Sequence, residues 1–326
     1  MSERPVRVAV IGVGDFGRNH VRVYRQLEGV ELVGVVDADS ERAGRVAAEF
    51  GTTVLPDLDS LSGRVDAASV AVPTSEHARV GSLLLARGID VLMEKPIAAS
   101  VSEADLLMDA ARQYARVLQV GHLERFNPAF TAILPIIKEP LYFEVHRLGV
   151  FSPRSLDIDV VYDVMIHDLD ILLALTDSSV TSIHALGIPV ITDKVDIAHA
   201  RLEFASGAVA NLTASRVSTE RVRKLRFFQE HEYISLDYAR QDALRIRVRQ
   251  PAPQPEFDFE PIATCPEEPL AAELRAFVGA VRLRTAPLVD ARAGRRALEL
   301  ADRVMAGILE HSQRVQLGAF APPRAN

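Results

Sequence analysis

Residues 6–17 read VRVAVIGVGDFG, a short apolar run that leads straight into glycines at positions 12, 14 and 17. Few features restrict a chain so tightly. In a strand, then Gly-x-Gly-x-x-Gly, then a helical pattern, each glycine has its own role. Gly12 makes the tight turn, Gly14 lets backbone approach a pyrophosphate, and Gly17 lets the helix pack close to the strand. The helix start turns free N–H groups and a positive dipole end toward the anion. The spacing alone is a weak signal. Here Asp37 closes the next apolar run, ELVGVVD at 31–37, at the separation from Gly17 expected of an acid that binds ribose hydroxyls.

Asp37 would repel a 2′-phosphate, and its neighbour is Ala38 rather than arginine, so the expected cofactor is NAD rather than NADP; Arg42 is the cation that argues the other way. Further apolar runs follow at 67–73, 90–96 and 117–121, with helical patterns at 17–28, 40–50, 75–88 and 102–115 between them. Runs apolar on both faces, alternating with helices, predict a doubly wound parallel sheet over residues 1–122. Beyond that point the segments 141–148, 180–187, 195–204, 208–215, 224–229 and 243–250 alternate polar with apolar. They predict a second α/β domain, 123–326, built on a mostly antiparallel sheet, with helices at 163–176, 270–284 and 290–312. The Pro-rich, acidic stretch 251–269 reads as an extended surface loop.

A chain of 326 residues that is 48% hydrophobic is long enough for two such cores. Its net charge of −7 leaves no overall basic footprint for nucleic acid or an anionic membrane, so neither is expected as a partner. Cys265 is the one cysteine, which excludes an intrachain disulfide, argues against a cysteine metal site and suits a reducing cytoplasm; no metal is expected. The first residues enter a strand-like run with no leader pattern before it, and no run of apolar residues reaches membrane-helix length.

Two clusters carry chemistry. Residues 93–96, MEKP, end a buried strand in a glutamate and a lysine stopped by proline. Read alone, this is either a solvated turn or a site that holds Lys95 and Glu94 for a chemical purpose. Residues 163–170, DVMIHDLD, place Asp163, His167 and Asp170 on one stripe if the segment is helical. That stripe could handle protons, could form a helix-face ion pair, or could bind a metal for which a third ligand is not evident.

The sequence resembles the glucose-fructose oxidoreductase, inositol dehydrogenase and MocA family of NAD(P)-dependent sugar oxidoreductases. The motifs are GVGDFG, VAVPTSEHA at 70–78, EKP at 94–96 and Asp163-x-x-x-His167, in that order along nearly the whole chain. Met165 stands where many members have glycine. The resemblance implies a Rossmann domain followed by an α/β domain with a large open sheet, through which homodimers or homotetramers form. It implies cofactor contacts from Gly12, Gly14, Asp15, Phe16, Gly17, Asp37, Pro73, Thr74, His77, Glu94 and Lys95. Lys95 and His167 match the catalytic lysine and histidine, and Asp163 the acid that helps place substrate.

A narrower likeness lies in VGHLERFNPAF (120–130), FSPRSLDIDVVYDVMIHDLDILL (151–173) and NLTASRVSTERVRKLRFFQ (211–229). These look like the members that oxidise the 3-hydroxyl of UDP-N-acetylglucosamine in the pathway to amino-substituted lipid A sugars. A nucleotide sugar brings two phosphates, for which Arg125, Arg154 and Arg216 are candidate clamps, with His122 and Asn127 as further substrate contacts. The cofactor reading has a direct check: kcat/KM should be higher with NAD than with NADP, and the reverse ranking would overturn the role given to Asp37.

Overall fold

The computed structural model describes residues 4–152, 157–249 and 255–315. The first apolar runs become β1 (Val6–Ile11), β2 (Val30–Val36), β3 (Ala67–Val70), β4 (Asp90–Glu94) and β5 (Leu118–Gly121). They form one parallel sheet in the order β2-β1-β3-β4-β5. The crossovers carry α1 (Asp15–Tyr24), α2 (Ser40–Phe50), α3 (His77–Ala86) and α4 (Val101–Gln113). Local chemistry sets their ends: the Asp39 carboxylate caps α2 at the Arg42 N–H, Gly51 closes it in the left-handed region at φ 62°, and Ser100 caps α4 at Glu103. All four residues of β3 and of β5 are buried, as a sheet covered on both faces requires.

The second part begins with α5 (Pro128–Ile133), β6 (Tyr142–Val150) and α6 (Ile166–Thr176). The strands β7 (Val180–Ile188), β8 (Ile197–Phe204), β9 (Val209–Ser218), β10 (Val222–Gln229), β11 (Glu232–Asp237), β12 (Asp242–Arg249) and β13 (Glu256–Ile262) follow. The eight strands pair as β13-β12-β11-β10-β6-β9-β8-β7, antiparallel except between β6 and β9. Alternation sorts the faces: Phe143, Val145, Leu212, Leu225 and Phe227 are buried, while Glu144, His146, Arg226 and Phe228 lie on the more open side. Nearly every side of α6 is buried, so its apolar residues Ile166, Leu169, Ile171, Leu172, Leu173 and Leu175 are not confined to one stripe.

Two expectations are corrected. The stretch read as a loop contains β13, which pairs with β12 through Ile246↔Phe259 and Arg247↔Asp258. Its Glu-Phe-Asp-Phe-Glu alternation has the period of a strand, and Pro261 is tolerated because β13 is an edge. The helix expected from 163 is regular only from Ile166, because Val161–Met165 wind as a wider π turn.

The chain then forms α7 (Pro269–Leu283) and α8 (Ala291–Val315). Two compact units result: Met1–Phe126 with Glu267–Leu298, and Asn127–Pro266 with Glu299–Asn326, so that the division falls within α8. Leu274, Phe277, Val278 and Val281 of α7 join Val8, Val10, Val21, Tyr24 and Leu92 in the first core. In the same unit, a Cβ on Gly294 would stand 2.7 Å from the Val120 side chain, so α8 starts hard against β5. In the second unit Gly187 admits Ile308 in the same way. Because Phe277 is fully buried, Phe277→Ala should cost about 3–5 kcal/mol of stability, read as a lowered urea midpoint.

Candidate functional site

The first candidate region is the carboxyl edge of the parallel sheet. Gly12 turns at φ 79°, and a Cβ there would lie 2.6 Å from the Ala71 carbonyl oxygen. At Gly17 a Cβ would lie 1.8 Å from the Gly12 carbonyl oxygen, so no larger residue lets α1 leave β1 at this angle. A Cβ on Gly14 meets nothing within 4 Å. Gly14 is also the N-cap of α1 and supplies no side-chain acceptor to the helix's first N–H groups. An open backbone face at a helix start fits the pyrophosphate of a dinucleotide. Asp37 accepts from the Val13 N–H at 2.7 Å and the Asp39 N–H at 2.8 Å, which ties the end of β2 to the glycine loop. Arg42 lies 3.2 Å from the Asp37 carboxylate. Asp15 and Phe16 are exposed on the first turn of α1.

The loop after β3 and the turn after β4 are joined by His77. This buried ring lies 3.0 Å from the Val72 carbonyl and 2.9 Å from that of Pro96, and burial pushes its pKa down. The neutral ring donates to one of the two. Pro73 and Thr74 are thereby held beside the EKP turn. Glu94 bonds His20 of α1 at 2.9 Å through Oε1 and faces the Lys95 N–H at 3.3 Å through Oε2. Burial alone would raise this carboxyl, but the His20 bond and the charges of His20 and Lys95 hold it below its ordinary value. Gly121, the β5 partner of Glu94, leaves room for the carboxylate, which a Cβ would approach to 3.1 Å. Lys95 itself is half-buried, and His122 follows Gly121 fully buried.

One residue of this region is not among those the sequence singles out. Glu273 sits on the inward stripe of α7 with no exposure, and burial together with the Glu94 charge pushes its carboxyl well above the ordinary range. A signal for it exists in the sequence: an acid at an apolar position of the helix, between Leu270 and Leu274 on one side and Phe277 on the other.

The second unit carries the other candidate residues. Asp163 lies half-buried in the π turn, so α-helical spacing does not run from it to His167; His167 and Asp170 are buried in α6, three residues apart. Asp168, to which the sequence motif gives no role, is gripped by Arg147 of β6 through two bonds of 2.8 Å. Arg147 also stacks 5.3 Å from the centre of the Tyr238 ring, so α6 is fixed to the sheet beside His167 by a buried ion pair. Arg216 bonds Asp196 at 2.7 Å and the Ile158 carbonyl at 2.6 Å. Burial would raise Asp196, but the N–H groups of residues 190–192 and Arg216 hold it well below the carboxylate range. Asn127 caps α5 at the Ala129 N–H, 3.1 Å, and donates to the Tyr238 carbonyl at 3.1 Å. Arg125 is half-buried in the short turn Leu123–Phe126 of the first unit, and Arg154 lies outside the described residues. No group of three or more metal-ligating side chains occurs among the described residues, and no described helix is long and apolar enough to cross a membrane.

Comparison with known proteins bears on both regions. Residues 6–122 match the family model described as "Oxidoreductase family, NAD-binding Rossmann fold", and residues 150–234 match the "GFO/IDH/MocA C-terminal domain". The UDP-N-acetylglucosamine 3-dehydrogenase of Acidithiobacillus ferrooxidans is 38% identical over 95% of this chain and 99% of its own. A solved structure of that enzyme superposes with a TM-score of 0.87, covering 93% of this chain and 97% of the other. An inositol 2-dehydrogenase of Mycolicibacterium smegmatis is 32% identical over 56% of each chain. Levoglucosan dehydrogenase in complex with NADH and levoglucosan has a TM-score of 0.84 at 18% identity over 94% of this chain and 98% of its own, a likeness of fold.

The glycine loop makes a sharp prediction. Gly17→Ala must push α1 away from the Gly12 carbonyl, and NADH affinity should fall by about tenfold or more, which is about 1.4 kcal/mol, in a fluorescence titration. Unchanged affinity would show that the close approach is not needed for binding.

Proposed function

The chain belongs to the GFO/IDH/MocA family of NAD-binding oxidoreductases, and we propose that it oxidises the 3-hydroxyl of UDP-N-acetylglucosamine to the 3-keto nucleotide sugar. NAD is its cofactor and its substrate is a small molecule. The observation that carries the substrate is the 38% identity to a UDP-N-acetylglucosamine 3-dehydrogenase over almost the full length of both chains.

Oxidising a secondary alcohol removes a hydride from carbon and a proton from oxygen; the bound nicotinamide supplies the hydride acceptor. The ammonium of Lys95 is assigned to the reacting oxygen, where it stabilises the developing alkoxide. The imidazole of His167 is assigned the proton, accepted on oxidation and returned on reduction. Asp163 is assigned to substrate placement. What supports these roles is the EKP turn, ordered by His20, Glu94 and His77, and an α6 fixed by the Arg147–Asp168 pair. The diphosphate calls for cations: Arg125 and Arg154 are proposed to hold it, and Arg216, engaged by Asp196, to order the 190–196 loop beside it. His122 and Asn127 complete the proposed substrate contacts.

Self-association through the second sheet belongs to the same proposal, as a homodimer or homotetramer. Its support is a row of aromatic and apolar side chains across the open face, Tyr142, Phe228, Tyr233, Ile246 and Phe259, of which Phe259 is 63% exposed. A cytoplasmic location is proposed with it, on the strength of one exposed free thiol, Cys265. The similarity to inositol 2-dehydrogenases favours a second reading, oxidation of a free polyol.

Two measurements separate these readings. NADH should form with UDP-N-acetylglucosamine and not with myo-inositol; the opposite result moves the substrate to the polyol class. Lys95→Ala and His167→Ala should each lower kcat by about a hundredfold or more while circular dichroism is unchanged. Near-normal turnover in either variant removes that residue from the chemistry.

A further inference from the structure

Glu273 takes no part in the reaction outlined above, yet its placement is hard to explain as packing. It has no exposure, it lies among the apolar side chains of α7, and neither carboxyl oxygen has a hydrogen-bond partner among the described residues. An ionised carboxylate in such a place is an isolated buried charge, one of the most unfavourable arrangements a fold can contain. The field that reaches it is that of Glu94, a second anion.

Glu94 in turn is committed to the ionised form by its bond to His20. The other polar groups packed around α7 do not supply a counter-charge. From α1, Tyr24 is buried and bonded to Ser69, and Arg22 pairs with Glu268. From β5, the Gln119 amide donates to the Glu273 backbone carbonyl at 3.4 Å. After β4, Lys95 acts on Glu94, and the turn at 123–126 adds Glu124 and Arg125, neither of which shifts Glu273. On α7 itself Arg275 pairs with Glu267, and Arg282 donates to the Gly29 carbonyl.

We propose that Glu273 is a positioning residue of the cofactor edge: held as the neutral acid, it leaves Glu94 the one anion of a buried cluster with His20, and so keeps the Lys95 turn in a single arrangement. Two carboxyls whose charges reach one another in a largely buried region cannot both ionise without strong repulsion. Ionising Glu273 sets a second negative charge against that of Glu94 and so loosens the contacts of Glu94 with His20 and with the Lys95 N–H. The proposal rests on the cofactor half of the functional reading and is independent of the sugar.

The sign of its pH dependence follows from linkage. In the unfolded chain Glu273 ionises near its ordinary value, whereas in the folded protein the acid form is retained to higher pH. Its contribution is therefore fully present below the unfolded value and is lost progressively as pH rises toward the folded one. Glu273→Gln, a neutral isostere, removes this dependence, so its melting temperature should exceed that of wild type by a margin that widens as pH rises.

The deciding experiment compares wild type, Glu273→Gln and Glu273→Leu, none of which needs a substrate. Infrared difference spectra at neutral pH should show a protonated-carboxyl C=O band in wild type that both variants lack. NADH affinity of Glu273→Gln at neutral pH should lie within about twofold of wild type, and the loss of affinity that wild type shows on the alkaline side should be absent from both variants. The proposal is overturned if no such band is lost. It is equally overturned if the three pH profiles run parallel, or if Glu273→Gln weakens NADH binding about tenfold at neutral pH. Absence of turnover with any UDP-sugar would defeat the substrate assignment and leave these measurements untouched.

Discussion

Five strands that all run the same way deliver five loops to one edge of a sheet. In the order β2-β1-β3-β4-β5 the chain leaves β1 in both directions, and the crevice between the ends of β1 and β3 is where an open α/β sheet takes a ligand. Everything assembled there depends on that common direction. The glycine loop after β1, Asp37 after β2, Pro73 and Thr74 after β3, the EKP turn after β4 and His122 after β5 are far apart in sequence. They come to one edge of the sheet because parallel pairing aligns the carboxyl ends of all five strands. Two histidines from helices then tie the edge: His20 of α1 takes Glu94, and His77 at the start of α3 spans Val72 and Pro96.

Buried charge is the second organising constraint, and each unit handles it differently. The second unit pairs its charges with arginine, Arg147 with Asp168 and Arg216 with Asp196, in geometries where two or more bonds satisfy the carboxylate. Such pairs contribute little net stability over apolar residues but are costly to break, so they fix how α6 and the 190–196 segment meet the sheet. Among the described residues of the first unit no arginine is buried to that depth. This unit pairs its buried Asp90 with the exposed Arg284, sets the His20 imidazole against Glu94, and keeps a further carboxyl, Glu273, without a counter-charge.

The elements legible in the sequence are those whose signal is local. Near-continuous apolar runs mark β1 to β5, alternation marks β6 to β10 and β12, and glycine spacing marks the loop whose close contacts the structure measures at Gly12 and Gly17. β13 is obscured because its proline and acids weigh against a strand when counted, although they alternate with Phe257 and Phe259 as an edge strand allows. The π turn at Val161–Met165 has no sequence signature of its own, and it alone breaks the stripe that would join Asp163 to His167. The candidate residues are legible as types in a pattern. Their partners are not: Asp168 stands unremarked beside His167 because only Arg147, on β6 and 21 residues upstream, shows what it does.

The doubly wound first unit, its NAD-type glycine loop with Asp37, the antiparallel character of the second sheet and the motifs that place the chain in its family are all written in the order of residues. They follow from periodicity and from residue types whose chemistry is nearly independent of context. Which groups face one another across long separations is settled by folding alone. That α7 closes the first core rather than the second, that Glu94 takes His20, and that Glu273 is buried within reach of the Glu94 charge are consequences of packing. A hydrogen bond or a buried charge is defined by its partner and its surroundings, and a residue's position along the chain specifies neither.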